Sequence, residues 1–345
     1  MTTGSGVVRH WKREGADVYI GRPGPWGNPF EIGIHGDRAA VVERYRAWLA
    51  AQPHLQRLAR RELREKTLGC WCAPQACHGD VLAAVAQSTG PRESCFVFGS
   101  NFAGVHGAGA ALFAKRWRSA QVGVGTGFTG QAYAIPTKDH ALKPLPLATV
   151  SSGIARFLDD AADHADTVFE VTRVGCGLAG WQDSDVTPLF MDAPANVDLP
   201  YRWQRMRDPA LPPRVIVAGS RGFDDLENLN ASLDRILSRM PDAVIVSGAA
   251  EGPDTLGEHY ALARWPDRDV PFMRYPAEWD RYGKAAGFIR NQQMAWGASH
   301  LVAFWDGRSP GTKSMIGLAA QDGLLTRVVH IGVRSDTDKA GLVRP

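Results

Sequence analysis

Apolar positions along the chain fall into three blocks with different periods. In residues ~1–88 the run Val18-Tyr19-Ile20 predicts a short strand. Val41, Val42, Tyr45, Trp48 and Leu49 then recur at helical spacing and predict one buried helix face. A second helix is expected over 55–66, and a third near Asp80, a residue able to cap it. Residues ~94–205 open on the run Cys95-Phe96-Val97-Phe98, which leads through Gly99-Ser100-Asn101 into a small-residue helix from near Gly107. Strands are expected over 131–136 and 168–174, with a helix over 150–162 between them. In residues ~212–335, apolar runs at 215–218, 243–246, 300–305 and 327–331 flank helical stretches, the first at 226–239 with Leu229, Leu233, Ile236 and Leu237 on one face. Strands apolar throughout, alternating with helices, predict a parallel sheet covered on both faces.

Two breaks separate these blocks: the polar stretch 87–93, and Asp208-Pro209-Ala210-Leu211-Pro212-Pro213, where proline stiffens the chain and removes backbone donors. The expected domains are 1–90, 91–207 and 208–345. The fold class is α/β and multidomain: a small N-terminal α/β domain, a layered α/β/α unit and a C-terminal Rossmann-like parallel sheet. The polar tail from Ser335 is expected to fray.

Composition narrows the class. A chain of 345 residues with 44% apolar and 22% charged residues suits two or three globular domains. No apolar run approaches the ~18 residues that span a bilayer, and the first six residues lack a signal-peptide pattern. A cytoplasmic protein without membrane partners is expected. Five cysteines, an odd number with three crowded together, argue against a secreted disulfide framework. A net charge of +3 gives no basic stripe for nucleic acid. The cluster Arg57, Arg60, Arg61, Arg64 and Lys66 is read as the solvated face of an amphipathic helix.

The C-terminal block carries three glycine- and hydroxyl-rich loops, each following a strand. They contain Gly219, Ser220 and Arg221; Ser247 and Gly248; and Asp306, Gly307, Ser309, Gly311 and Thr312. Ligands of open parallel sheets bind beyond the carboxyl ends of the strands. Glycine there lets backbone approach a phosphate, and helix N-termini supply N–H donors. One such loop is ordinarily just a tight turn; three in one unit point to a phosphorylated ligand. The runs GSRGF, VSGAAEGPD, GKAAGFIRNQQM and FWDGRSPGT resemble the YspA-type branch of the SLOG superfamily, which includes DNA processing protein A and the LOG phosphoribohydrolases. The resemblance implies a nucleotide site in which Arg290, beside Asn291, takes the part of the hydrolases' catalytic arginine and Gly311-Thr312 forms their turn. Met315 stands where their glutamate is expected, and a thioether is no general acid or base. Glu251, Asp254 or Asp306 are the carboxylates that could substitute.

In the middle block, Asn101-Phe-Ala-Gly-Val-His-Gly-Ala-Gly109 and Gly175-Cys-Gly-Leu-Ala-Gly-Trp181 are loops whose small residues expose backbone N–H groups. They resemble the ligand loops of macro domains. That resemblance implies ADP-ribose held by Asn101, Gly107, Gly109, Gly175, Gly177, Leu178, Ala179, Gly180 and Trp181, the indole packing on a base or ribose. His106 and Asp183 are candidates for polarising water or ribose, although a loop histidine is more often without a catalytic role. Cys176 is read as a small apolar residue.

The run Cys70-Trp-Cys72-Ala-Pro-Gln-Ala-Cys77-His78-Gly-Asp80 places three thiols and an imidazole close together. Zinc favours such ligands, but C-x-C-x4-C-H is not the usual C-x2-C spacing, and adjacent Cys77 and His78 point apart in an extended chain. Zinc is therefore disfavoured, with the metal undetermined; a buried structural cluster and a reactive-thiol pocket next to Arg22 stay open. Together with YIGRP and WGNPF, the run resembles a small bacterial and phage family of unknown function, numbered 4326. That implies one site built from Arg22, Asn28, Cys72, Cys77, His78 and Asp80. The expected partner of the whole chain is a small-molecule nucleotide, NAD-derived or of ADP-ribose type, with hydrolysis of an N-glycosidic or ADP-ribosyl bond. The alternatives are a non-catalytic nucleotide sensor and a DNA-processing factor; no cofactor is fixed by the sequence, nor is an oligomeric state.

Overall fold

The structure, a computed structural model, describes residues 6–332. The tail from Ser335 lies outside the described residues. The chain divides into two compact units, 1–211 and 212–345.

The first unit holds two sheets. The small one is built from β1 (Val8–His10), β2 (Val18–Tyr19) and β3 (Leu68–Cys70), all parallel, with β3 in the centre. Three helices accompany it: α1 (Arg38–Ala50), α2 (Pro53–Glu62) and α3 (His78–Gln87). The predicted face of α1 is buried, through Val41, Tyr45, Trp48 and Leu49. Helix α2 ends four residues before the expected limit, and Glu65 beyond it takes a left-handed backbone at φ 63°. Asp80 caps α3 from inside its first turn. Cys77 is the N-cap, and the Asp80 carboxylate accepts from the Cys77 N–H at 2.8 Å, a capping box.

The expectation of a wholly solvated basic face on α2 is corrected. Arg57 is buried and donates to Glu170 at 2.6 Å, and Arg118 approaches the other oxygen of that carboxylate at 3.5 Å. Arg60 donates to Ser88 Oγ. Periodicity marks a polar face but cannot say that another sheet supplies a carboxylate to it.

The larger sheet of this unit contains β4 (Ser94–Asn101), β5 (Gly127–Thr129), β6 (Ala132–Lys138), β7 (Val168–Val171) and β8 (Val197–Asp198). Its order is β5-β6-β4-β7-β8, with β5 antiparallel to β6 and the other pairs parallel. Helices α4 (Gly109–Trp117), α5 (Leu147–Asp163), α6 (Asp183–Val186) and α7 (Tyr201–Arg207) belong to it. Its core packs Val97, Phe157, Phe169, Phe190 and Trp203.

The second unit is one five-stranded sheet. Its elements are β9 (Arg214–Gly219), α8 (Leu226–Leu237), β10 (Val244–Ser247), α9 (Pro253–Arg264), β11 (Phe272–Arg274), α10 (Trp279–Tyr282), α11 (Ala286–Trp296), β12 (His300–Trp305), α12 (Pro310–Gln321) and β13 (Leu325–His330). The order is β11-β10-β9-β12-β13 and every pair is parallel, as the apolar runs require. The chain steps outward from β9 to β11, then returns to β12 on the other side of β9. The loops leaving β9 and β12 therefore part in opposite directions, which opens a crevice at the strands' carboxyl ends. Strands β1, β3, β5, β8 and β11 were not expected; runs of two or three residues carry no readable period. Among the described residues, no helix is long and apolar enough to cross a membrane.

Candidate functional site

The crevice of the second unit gathers all three glycine-rich loops. Glycine is required at two points. A Cβ on Gly219 would lie 2.4 Å from the Phe304 carbonyl oxygen, and one on Gly248 would lie 1.7 Å from Arg290 Nη1. The Gly219 contact holds β9 against β12: the Ser220 N–H donates to Phe304 O, and Ser220 Oγ accepts from the Asp306 N–H. The Gly248 contact lets a buried arginine lie under the second loop.

Arg290, on α11, donates to the Gly248 carbonyl and, through Nε, to Asn291 Oδ1 at 3.0 Å. Asn291 in turn donates to the Gly311 carbonyl at 3.3 Å. One residue pair of α11 thus ties the second loop to the third. Asp254, in the first turn of α9, accepts from the Gly248 N–H at 2.9 Å and lies 3.5 Å from Arg290 Nη1. Burial pushes its carboxyl up to about 6, outweighing the attraction of Arg290. Ser247 Oγ accepts from the Ala249 N–H and donates to the Asp254 carbonyl.

The third loop is closed by Asp306, whose carboxylate accepts from the Arg308 and Ser309 N–H groups at 2.9 and 2.8 Å. Those two bonds hold Asp306 below the usual carboxylate range. Ser309 caps α12, and buried Thr312 donates to its hydroxyl. Helices α9 and α12 both begin with proline at the first position, and both N-termini emerge at these loops. Arg221, Glu251, Gly307 and Gly311 are exposed around them. Met315 is 1% exposed and packs in the core with Ile216, Leu301 and Ala303. No carboxylate stands at its position, and Asp306 is occupied in closing its own turn.

In the first unit, β4 and β7 bring the loops 101–109 and 172–181 side by side; a Cβ on Gly99 would meet the Gly175 nitrogen at 3.3 Å. Asn101 turns inward, bonding both the N–H and the carbonyl of Val105. His106 is 2% exposed, with Nε2 3.2 Å from Ser100 Oγ and its ring edge-on to Phe98. Burial, with Lys115, lowers its pKa, so the ring is held neutral. Asp183 is clamped by both Arg173 donors at 2.8 Å, by Arg202 at 2.8 Å and by the Trp203 indole at 2.6 Å. Burial opposes the charge, but these partners hold Asp183 down at about 2. Such a carboxylate anchors the loop and is a weak base. Trp181 closes the loop on Gly175 and rests against the core. Gly107, Gly109, Gly177, Leu178 and Gly180 stay exposed, with Ala179 partly so. Burial pushes the Cys176 thiol up to about 12, away from nucleophilic use.

Around the small sheet, one cavity of ≈ 300 Å³ brings together Arg22, Asn28, Cys72, Cys77 and His78. Asp80 is not in its wall; it is spent on the α3 cap. Asn28 braces the cavity, bonding the Val41 carbonyl and the Phe30 N–H. Cys70 and Arg38 also line it and had not been assigned to this site. Strand β3, which delivers Cys70, is too short to be read from period.

Comparison with known proteins places names on these parts. Residues 7–88 match the model of a domain of unknown function, DUF4326, and residues 213–282 match the YspA, cpYpsA-related SLOG family. The gene 61 protein of Mycobacterium phage D29 is 35% identical over 117 residues, 91% of its length and 32% of this chain. The chain belongs to the family of that phage protein. A solved structure of DNA processing protein A from Helicobacter pylori, described for its single-stranded DNA binding mode, aligns at 20% identity. It covers 37% of this chain and 71% of that one, with a TM-score of 0.28. The SLOG match starts at the first strand of the second unit and takes in the first two glycine-rich loops.

Proposed function

We propose that the second unit binds a phosphorylated nucleotide at the crevice between β9 and β12. The observation that carries this is the convergence of three glycine-rich loops and two helix N-termini over the Arg290–Asn291 brace. N–H groups at those N-termini would receive phosphate oxygens, and exposed Arg221 would add a charged donor. Binding without turnover is favoured. Met315, where the resemblance implies a glutamate, lies in the core, and Arg290 is already committed to Gly248, Asn291 and Asp254.

The test is thermal melting of the full chain with ADP-ribose, NAD, AMP and cyclic nucleotides. A ligand at 100 times its dissociation constant adds about 2.7 kcal/mol to the native state. Arg221→Ala should weaken the binding roughly tenfold, as loss of one charged hydrogen bond would, and leave the free protein's Tm unchanged. Failure of every nucleotide to shift the melt would reduce the loops to structural turns.

A second reading, cleavage of an N-glycosidic or ADP-ribosyl bond, is favoured by one observation. Burial raises the Asp254 carboxyl to about 6 beside a buried arginine, the setting of a general acid. Release of base or ADP-ribose by wild type but not by Asp254→Asn would support it. The middle segment, 91–207, is proposed as a separate macro-like site for ADP-ribose at the exposed backbone of Gly107, Gly109 and 177–180. Three sheets underlie the proposed three-part division at 90 and 207. A DNA-processing role would instead predict DNA affinity that falls steeply with salt.

A further inference from the structure

The cysteine-bearing cavity contains a set of donors that the nucleotide reading does not use. Cys70, Cys77 and His78 are all buried, and one donor atom from each lies within 4.8 Å of the others. The local chain path explains how adjacent Cys77 and His78 converge. Cys77 is extended, at φ −151°, as the N-cap, whereas His78 is the first residue of α3. The turn into the helix brings together two side chains that an extended strand would separate, and this corrects the expectation from spacing.

We propose that Cys70, Cys77 and His78 bind one Zn²⁺, with the fourth position open to the cavity. Two sets of contacts and a charge argument support the assignment independently of the spacing. First, His78 Nε2 lies 2.9 Å from the Ile20 carbonyl oxygen. A carbonyl only accepts, so Nε2 donates to it, which leaves Nδ1 as the nitrogen available to a metal. A second ring nitrogen tied to a backbone carbonyl is the usual support of a metal-bound histidine. The Tyr45 ring, edge-on at 5.1 Å, holds the imidazole in place. Second, each sulfur accepts a backbone N–H from two residues onward: Cys72 to Cys70 at 3.5 Å, and Gly79 to Cys77 at 3.2 Å. These bonds fix the positions of both sulfurs. Third, two thiolates and a neutral imidazole balance the 2+ charge, which suits a buried site. Both sulfurs bind as thiolates, any thiol proton they carry passes to solvent, and the buried complex is neutral.

The separations fit the metal. Tetrahedral zinc, with Zn–S near 2.3 Å, sets its ligand atoms about 3.5–3.8 Å apart. Small inward movements from the observed cluster reach that. All three residues line the cavity, and the proposal directs the remaining coordination position to its interior. Arg22, ion-paired with Glu31, and Arg38, which donates to the Ala76 carbonyl, line the same cavity. Guanidinium groups in the cavity would suit an anionic ligand, a phosphate or carboxylate, at the fourth position.

The experiment is cobalt substitution in the full chain. Co²⁺ should bind one per chain, with a sulfur-to-cobalt charge-transfer band and the d–d bands of a four-coordinate ion, and Zn²⁺ should displace it. Zinc should protect two thiols from modification. Cys70→Ser, Cys77→Ser and His78→Gln should each lose the bands, and Cys72→Ser should keep them. Inorganic phosphate should alter the d–d bands of wild type. If wild type gives no charge-transfer band and zinc protects no thiol, the proposal fails whatever the variants do. Loss of the bands in Cys72→Ser, or indifference to phosphate, would overturn the open fourth position. The titration reads no nucleotide, so its outcome is separate from that of the nucleotide site.

Discussion

At the scale of single residues, the second unit rests on a glycine and a carboxyl. Gly248→Ala would force a methyl into the space of Arg290 Nη1, and Arg290 is held in place by Asn291 on its own helix and by Asp254 on α9. Overpacking of this kind costs about 1–3 kcal/mol, so a lower Tm and weaker nucleotide binding are expected together. Asp254 gives a pH signature of unusual sign. Its folded pKa, about 6, is above the ordinary value. Its stabilising contribution is therefore complete below the unfolded pKa and is lost as pH rises through about 6. Melting of Asp254→Asn between pH 4 and 7 should lack this fall. Asp183 behaves oppositely. Held at about 2, it stabilises above its unfolded pKa and loses that contribution as pH drops from about 4 toward 2. Allowing for its partial solvent contact, the amount is about 1–2 kcal/mol, and Asp183→Asn should remove it from acid-titration melts.

At the scale of elements, the decisive contacts are ties between segments distant in sequence. Helix α2 is joined to β7 by Arg57–Glu170, a bond across 113 residues. Burial opposes the Glu170 charge, and Arg57 with Arg118 outweighs it, so its pKa is low. Arg57→Met should cost about 1–3 kcal/mol, less than the loss of an isolated buried pair because Arg118 remains. Calorimetry of the full chain would show that as a lower first-unit transition. Helix α11 plays the matching part in the second unit. Its pattern marks a buried face containing Ile289 and Met294, but the polar neighbours Arg290 and Asn291 are buried too, because they bond carbonyls of two loops.

At the scale of the molecule, two compact units predict two melting transitions. Nucleotides should raise the one belonging to 212–332, and zinc the one belonging to the first unit. A single transition raised by either ligand would contradict independent sites.

Elements long enough to show a period are legible from residue order alone: α1 and its buried face, the alternation of strand and helix after 212, and the three glycine-rich turns. Local spacing controls each of these, so one stretch of chain suffices to read them. Tertiary structure decided the rest. Arg57 reads as solvated until β7 supplies its carboxylate, and the packing of Trp181 against the core has no signal in its glycine-rich loop. Cys70 joins Cys77 and His78 only because β3 and the start of α3 meet beside the Ile20 carbonyl. Burial and pairing depend on what arrives from elsewhere in the chain, and periodicity carries no record of it.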